Sequence, residues 1–178
     1  MNTKKKYKIA TILPYKESYT LGSASAVSLW VSEFYNKSIF RNENLIYGNA
    51  NTKNYLTKNY INIPLKNLSL KFRSTSSEYI EKLSKKLIEE KFDIIEIHNR
   101  PLVLFKFLEK INTKFIMYYH NDPLTMSGSK LMSERKEILK KVDKLIFISE
   151  WVKKRFFEGL DNFSKVKTDI IYPSVHKR

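Results

Sequence analysis

Two histidine-bearing tetrads, His98-Asn99-Arg100-Pro101 and His120-Asn121-Asp122-Pro123, carry most of the chemistry this sequence offers. An imidazole can donate or accept a hydrogen bond near neutral pH, so either histidine could hold a sugar hydroxyl or a phosphate oxygen. A carboxylate as close as Asp122 could fix the tautomer of His120. Arg100 suits a bidentate contact with a phosphate or carboxylate. Each tetrad also has a bland reading: a satisfied, partly buried histidine, a solvated loop arginine, an aspartate that only starts a turn before proline. Recurrence of the pattern at a second place favours the functional reading.

Other chemistries fit less well. His98, His120 and Asp122 could supply three metal ligands, but they lack the close helical spacing of zinc motifs, and the third histidine, His176, sits near the chain end. No metal is expected. Ser149 opens a helix without the flanking glycines of a nucleophile elbow. Neither the glycine-rich dinucleotide fingerprint nor a P-loop occurs, which disfavours classical nicotinamide or nucleoside-triphosphate chemistry.

The elements that must position these residues are short apolar runs. Asp93-Ile94-Ile95-Glu96-Ile97 leads into His98, Lys114 to Tyr119 into His120, and Lys144 to Ile148 into Ser149-Glu150. Runs of this length and composition, separated by helix-length segments, predict parallel strands covered on both faces. In such sheets ligands bind beyond the carboxyl ends of the strands, where these polar groups lie.

Upstream, Tyr7 to Leu13 predicts a first strand, followed by a loop to Gly22-Ser23 and a helix from Ala24 with Ala24, Val27, Val31 and Phe34 on one stripe. Strand, glycine-bearing loop and helix can present backbone N–H groups to a phosphate, or simply form a turn. Leu45 to Tyr47 and Tyr60 to Ile63 read as short strands. Thr75 and Glu78 fit a capping box ahead of a helix that buries Ile80, Leu83 and Leu87. Pro101 suits the first turn of a helix with Leu104, Phe107, Leu108 and Ile111 inward. Lys130 to Val142 carries Leu131, Ile138, Leu139 and Val142 on a stripe. Ser149 caps a helix with Glu150 in its positive first turn, continued by Val152, Phe156 and Leu160. Thr168 to Tyr172 is a last strand, ended by Pro173. The expected fold is α/β: a Rossmann-like open, mostly parallel sheet of about six or seven strands with helices on both faces, forming a single domain over residues 1–178.

With 178 residues, 42% of them hydrophobic and only 4 glycines, the chain can bury a substantial core, and disorder is excluded. No apolar stretch approaches the roughly 20 residues that span a bilayer, and the basic start leads directly into a strand without a signal-peptide pattern. A cytoplasmic protein is expected. The absence of cysteine removes disulfides and thiolate sites. Lysine and arginine exceed acids by 33 to 18, a net charge of +15. That field attracts nucleic acid, anionic lipid and phosphorylated small molecules, although a codon bias toward lysine and asparagine would produce it without any partner. The charge is spread along the chain and no nucleic-acid-binding signature accompanies it, so no nucleic acid is expected; a membrane surface or a diphosphate ligand fits better.

In order and spacing, the Gly22-Ser23 loop, Asp93 to Pro101, Tyr119-His120, Lys144 to Trp151 and Ile170 to Val175 together resemble the N-terminal domain of a retaining glycosyltransferase of GT-B architecture, in the large family 4 group. The resemblance spans essentially the whole chain. It implies an acceptor-side domain acting with a donor-binding domain absent from this chain, a nucleotide-sugar donor, a glycan or lipid-linked acceptor of the cell-surface polysaccharide or lipopolysaccharide type, and no metal or other cofactor. It places Gly22 and Ser23 near the donor diphosphate and His120 beside the reacting sugar as the catalytic residue. His98, Asn99 and Arg100 would line the acceptor cleft, and Asn121, Asp122, Ser149 and Glu150 would bind substrate at neighbouring tips. The isolated chain is expected to be inactive. A non-catalytic binding module for an anionic ligand or a protein partner is the alternative.

Overall fold

The computed structural model describes residues 7–65, 74–160 and 167–173. Seven strands, β1 (Ile9–Ile12), β2 (Asn44–Gly48), β3 (Tyr60–Asn62), β4 (Ile94–His98), β5 (Lys114–Tyr119), β6 (Lys144–Phe147) and β7 (Lys167–Ile170), alternate with five helices. They form one parallel sheet in the order β3-β2-β1-β4-β5-β6-β7, the expected α/β architecture. Backbone contacts divide the chain into two compact units, residues 1–95 and 96–178.

In the first unit, Ile9 to Ile12 lie beside Asn44 to Tyr47, and Ile46 to Gly48 beside Tyr60 to Asn62. All four residues of β1 are buried, as a strand covered on both faces requires. Helix α1 (Ala26–Lys37) begins where the Ser25 hydroxyl accepts from the Ser28 N–H. Its inward stripe is Val27, Val31 and Tyr35, packed with Leu13, Tyr19, Ile46 and Tyr60. The expected Phe34 points outward: four-residue steps from Val27 reach Tyr35, which leaves Phe34 to stack on Trp30 at 5.2 Å.

Helix α2 (Thr75–Glu90) corrects the expected cap by one residue. The Ser74 hydroxyl, not that of Thr75, accepts from the Ser77 N–H at 3.2 Å, and Glu78 pairs with Lys82. Tyr79, Leu83 and Leu87 face inward, with Ile80 only half-buried. Tyr79 takes the place expected for Ile80 because its hydroxyl donates to the Leu13 carbonyl at 2.8 Å, so a long aromatic reaches the sheet with its polar end satisfied.

In the second unit, β5 runs beside β6 from Ile116↔Lys144, and β6 beside β7 from Lys144↔Lys167. Helix α3 (Pro101–Leu108) has Pro101 at its start and buries Val103, Leu104 and Phe107. Helix α4 (Met132–Lys141) differs from the expected stripe: Leu131 is exposed and Arg135 is buried with Ile138 and Leu139. Helix α5 (Glu150–Phe157) is capped as expected, the Ser149 hydroxyl accepting from the Val152 N–H at 3.2 Å. Its Phe156 packs against Tyr119 and Phe147. His176 and the Ser174-Val175 part of the closing motif lie outside the described residues.

Candidate functional site

The backbone at the tips of β4 and β5 is locked before any side chain is considered. Asn99 adopts a left-handed conformation, φ 50°, which Asn tolerates better than most residues. Its N–H donates to the Tyr118 carbonyl at 2.9 Å, and its side-chain oxygen accepts from the His120 N–H at 2.7 Å. Asn99 is therefore a buried brace between two strand ends.

That brace brings His98 and His120 together. Nδ1 of His98 and Nε2 of His120 are 2.8 Å apart. The His98 ring stacks on Tyr118 at 4.4 Å, and the Tyr118 hydroxyl donates to Glu96 at 3.1 Å. His98 is only 1% exposed and His120 8%. Burial, aided by its neighbour His120, pushes His98 well below the usual imidazole range, and burial brings His120 down to about 4. Both rings are neutral at pH 7, so one nitrogen of the contact carries the proton and the other offers its lone pair. The tautomers are thereby tied: when His98 donates, Nδ1 of His120 carries a proton, and when His120 donates, its Nδ1 is an acceptor. The expectation that Asp122 fixes the His120 tautomer is corrected here, since the partner of Nε2 is His98.

Asp122 is used in another way. One oxygen accepts from the Leu124 N–H at 3.0 Å, capping the short 3-10 turn Pro123–Thr125, and the other accepts from Nε and Nη2 of Arg155 at 3.2 and 3.1 Å. Partial burial pushes its carboxyl up, but these hydrogen bonds outweigh it and hold Asp122 below the usual carboxylate range. Arg155, absent from the sequence reading, fastens the β5 tip to α5 from 33 residues away; no local spacing signals such a pair. Gly128 seals the loop: at φ 94°, a Cβ there would sit 2.6 Å from the Leu102 nitrogen. Ser149 is occupied as a helix cap. Arg100, Asn121 and Glu150 retain solvent-facing surface at the tips of β4, β5 and β6. Among the described residues, no three His, Asp or Glu side chains group as ligands of a metal ion.

In the first unit, a cavity of about 590 Å³ lies beyond the ends of β1 and β2. Hydroxyl-bearing side chains such as Ser18, Thr20 and Ser23, the carboxamides of Asn49 and Asn51, and one cation, Lys16, are among its lining. Ser18, Thr20 and Ser23 form a ring of hydroxyl contacts at 2.8 to 3.0 Å. Ser23 thus belongs to a polar pocket, while the adjacent Gly22 is exposed at φ 82° with no heavy atom within 4 Å of where a Cβ would be. Asn49 and Asn51 are signalled in the sequence only by an Asn-rich segment directly after a buried strand.

A parallel sheet with polar groups gathered at its strand tips is the architecture of the N-terminal domain of GT-B glycosyltransferases. Residues 43–177 match the model of Glycosyltransferase Family 4, and the chain belongs to that family. Among solved structures, a sucrose-phosphate synthase from Thermosynechococcus elongatus is similar with a TM-score of 0.65 at 14% identity, over 93% of this chain and 48% of that one. HepE of Anabaena, in complex with UDP and glucose, gives 0.61 at 13% identity over 95% and 45%. The lipopolysaccharide outer core galactosyltransferase WaaB gives 0.60 at 14% over 93% and 45%. The chain thus spans about half the length of these structures. No curated protein sequence matches it significantly. Among the described residues, no helix is long and apolar enough to cross a membrane.

Proposed function

We propose that this chain is the acceptor-side domain of a retaining glycosyltransferase, moving a sugar from a nucleotide-sugar donor to a glycan or lipid-linked acceptor used in cell-surface polysaccharide or lipopolysaccharide synthesis. Membership of family 4 supports the transfer chemistry, and the cavity walled by hydroxyls and carboxamides carries the assignment of the acceptor side. Such a wall suits a polyhydroxylated ligand, because hydroxyls and carboxamides can both donate and accept. HepE holding UDP and glucose, and WaaB acting on a lipopolysaccharide core, agree with this reading.

In it, Gly22 and Ser23 face the donor diphosphate, and His120, its ring oriented by the contact with His98, hydrogen-bonds the reacting sugar. His98 is a positioning residue that orients the His120 ring. Arg100, Asn121 and Glu150 remain available for substrate contact, whereas Asn99, Asp122 and Ser149 act by holding the strand tips in place. Catalysis rests on positioning and leaving-group stabilisation, and these 178 residues by themselves transfer little or no sugar.

The test is a transfer assay with this domain joined to its donor-binding partner. His120→Ala is expected to lower kcat by about a hundredfold, the usual loss when one preorganised hydrogen-bond donor is removed. Unchanged rates would remove His120 from the mechanism. Tight, saturable ligand binding by the isolated chain, with no transfer in any longer form, would instead establish the binding-module alternative.

A further inference from the structure

A second cavity in the first unit, of about 750 Å³, has a different chemistry. Arg41, Lys53 and Lys58 line it together with the carboxamides of Asn36, Asn42 and Asn54, and no carboxylate does. From Phe34 to Asn59 the single acid is Glu43, one of whose oxygens is sealed from solvent. The cavity is therefore a local concentration of positive charge on an already basic chain.

Beside Arg41 stands an apolar tip. Ile39 is 82% exposed, and Phe40 is 40% exposed. The turn that carries them is built: the Phe40 N–H donates to the Ser38 hydroxyl at 3.1 Å, the Glu43 N–H to the Phe40 carbonyl at 3.0 Å, and the Asn59 amide to the Arg41 carbonyl at 3.2 Å. These bonds fix a turn on which Ile39 stands out in water and Phe40, edge-on to the Tyr7 ring at 6.2 Å, keeps an exposed part beside it. The neighbouring end of α1 adds Phe34, 38% exposed and stacked on Trp30. A small soluble anion would use the cations and have no use for the tip. A bilayer interface uses both, burying the apolar residues at the acyl boundary while the cations meet headgroup phosphates.

We propose that the Ser38–Arg41 turn and the adjoining cationic cavity form a docking site for a membrane surface carrying anionic phosphate headgroups. This assignment goes beyond the transfer reaction and does not depend on the role given to His120.

Co-sedimentation of the 178-residue chain with phosphatidylcholine vesicles, with and without phosphatidylglycerol, tests it. Binding is expected only to the anionic vesicles. The triple variant R41Q/K53Q/K58Q should lower partitioning about a hundredfold, from roughly a fivefold loss per cation. I39S/F40S, at unchanged charge, should lower it about tenfold or more. In a Trp151→Phe background Trp30 is the sole tryptophan, and its emission should shift to the blue on vesicle binding. Circular dichroism verifies that each variant is folded. Equal binding to neutral vesicles, or binding indifferent to both variants, would overturn the proposal. So would full competition by inorganic phosphate with no effect of I39S/F40S, which would make the cavity a soluble-anion site.

Discussion

At the tips of β4 and β5 two imidazoles share one hydrogen bond in a buried setting, so charging either ring places a cation where water does not solvate it. The sign of the pH dependence follows. Both rings have native values below that of a free histidine, near 6.5, with His120 at about 4. The unfolded chain therefore binds protons first as pH falls, and stability present above pH 6.5 is lost progressively toward pH 4, by about 3 kcal/mol from His120 alone. Urea unfolding across that range should show the loss, and the His98→Phe/His120→Asn double variant should show a shallower slope. Identical slopes would mean that the pair is not neutral in the folded protein. The sequence singled out both histidines but treated them as separate ligands. That they are one unit depends on Asn99 bracing the strand ends, and nothing in the spacing of 22 residues states it.

Among the helices, α4 and α5 show how a stripe can be misread. Leu131 fits the apolar period but precedes the helix and is exposed, while Arg135 occupies an inward position on the next turn. The helix tolerates a buried guanidinium because Nη1 donates to the Phe156 and Glu158 carbonyls at 2.7 and 2.8 Å. These are among the carbonyls a helix C-terminus leaves without intrahelical partners. Arg135 thus caps α5, and α5 in turn presents Arg155 to Asp122. Arg135→Leu should destabilise the protein by about 2 kcal/mol, because two charge-assisted bonds vanish and the buried Phe156 carbonyl loses its donor. Hydrogen exchange should accelerate first in α5. Stability equal to that of the native chain would assign these carbonyls to water.

For the whole molecule, the excess of cations is the dominant long-range term. The ion pairs that offset it, such as Glu33 with Lys37 and Glu81 with Lys85, are exposed helical pairs worth little each. With a net charge of +15, self-repulsion favours the expanded chain. Raising the salt from a few millimolar toward physiological strength shortens the Debye length to about 8 Å and should raise Tm by several degrees. Scanning calorimetry measures it. A Tm that falls with salt would show that attractive pairs outweigh the repulsion.

The alternation of short apolar runs with helical stripes determined the α/β class, the strands and the helices, because burial on both faces of a strand and on one face of a helix imposes a local period readable residue by residue. The same rule placed His98, His120 and Ser149 at element ends. It could not tell Phe34 from Tyr35, or Thr75 from Ser74, because one residue of phase or cap position is settled by which side chain finds a partner. Only the tertiary structure decided what those ends do. His98 meets His120, Asp122 meets Arg155, and hydroxyls from the β1 loop gather with asparagines from the β2 loop, all through strand register and loop closure over tens of residues. Such contacts are set by the three-dimensional path of the chain, and a linear pattern holds no record of that path.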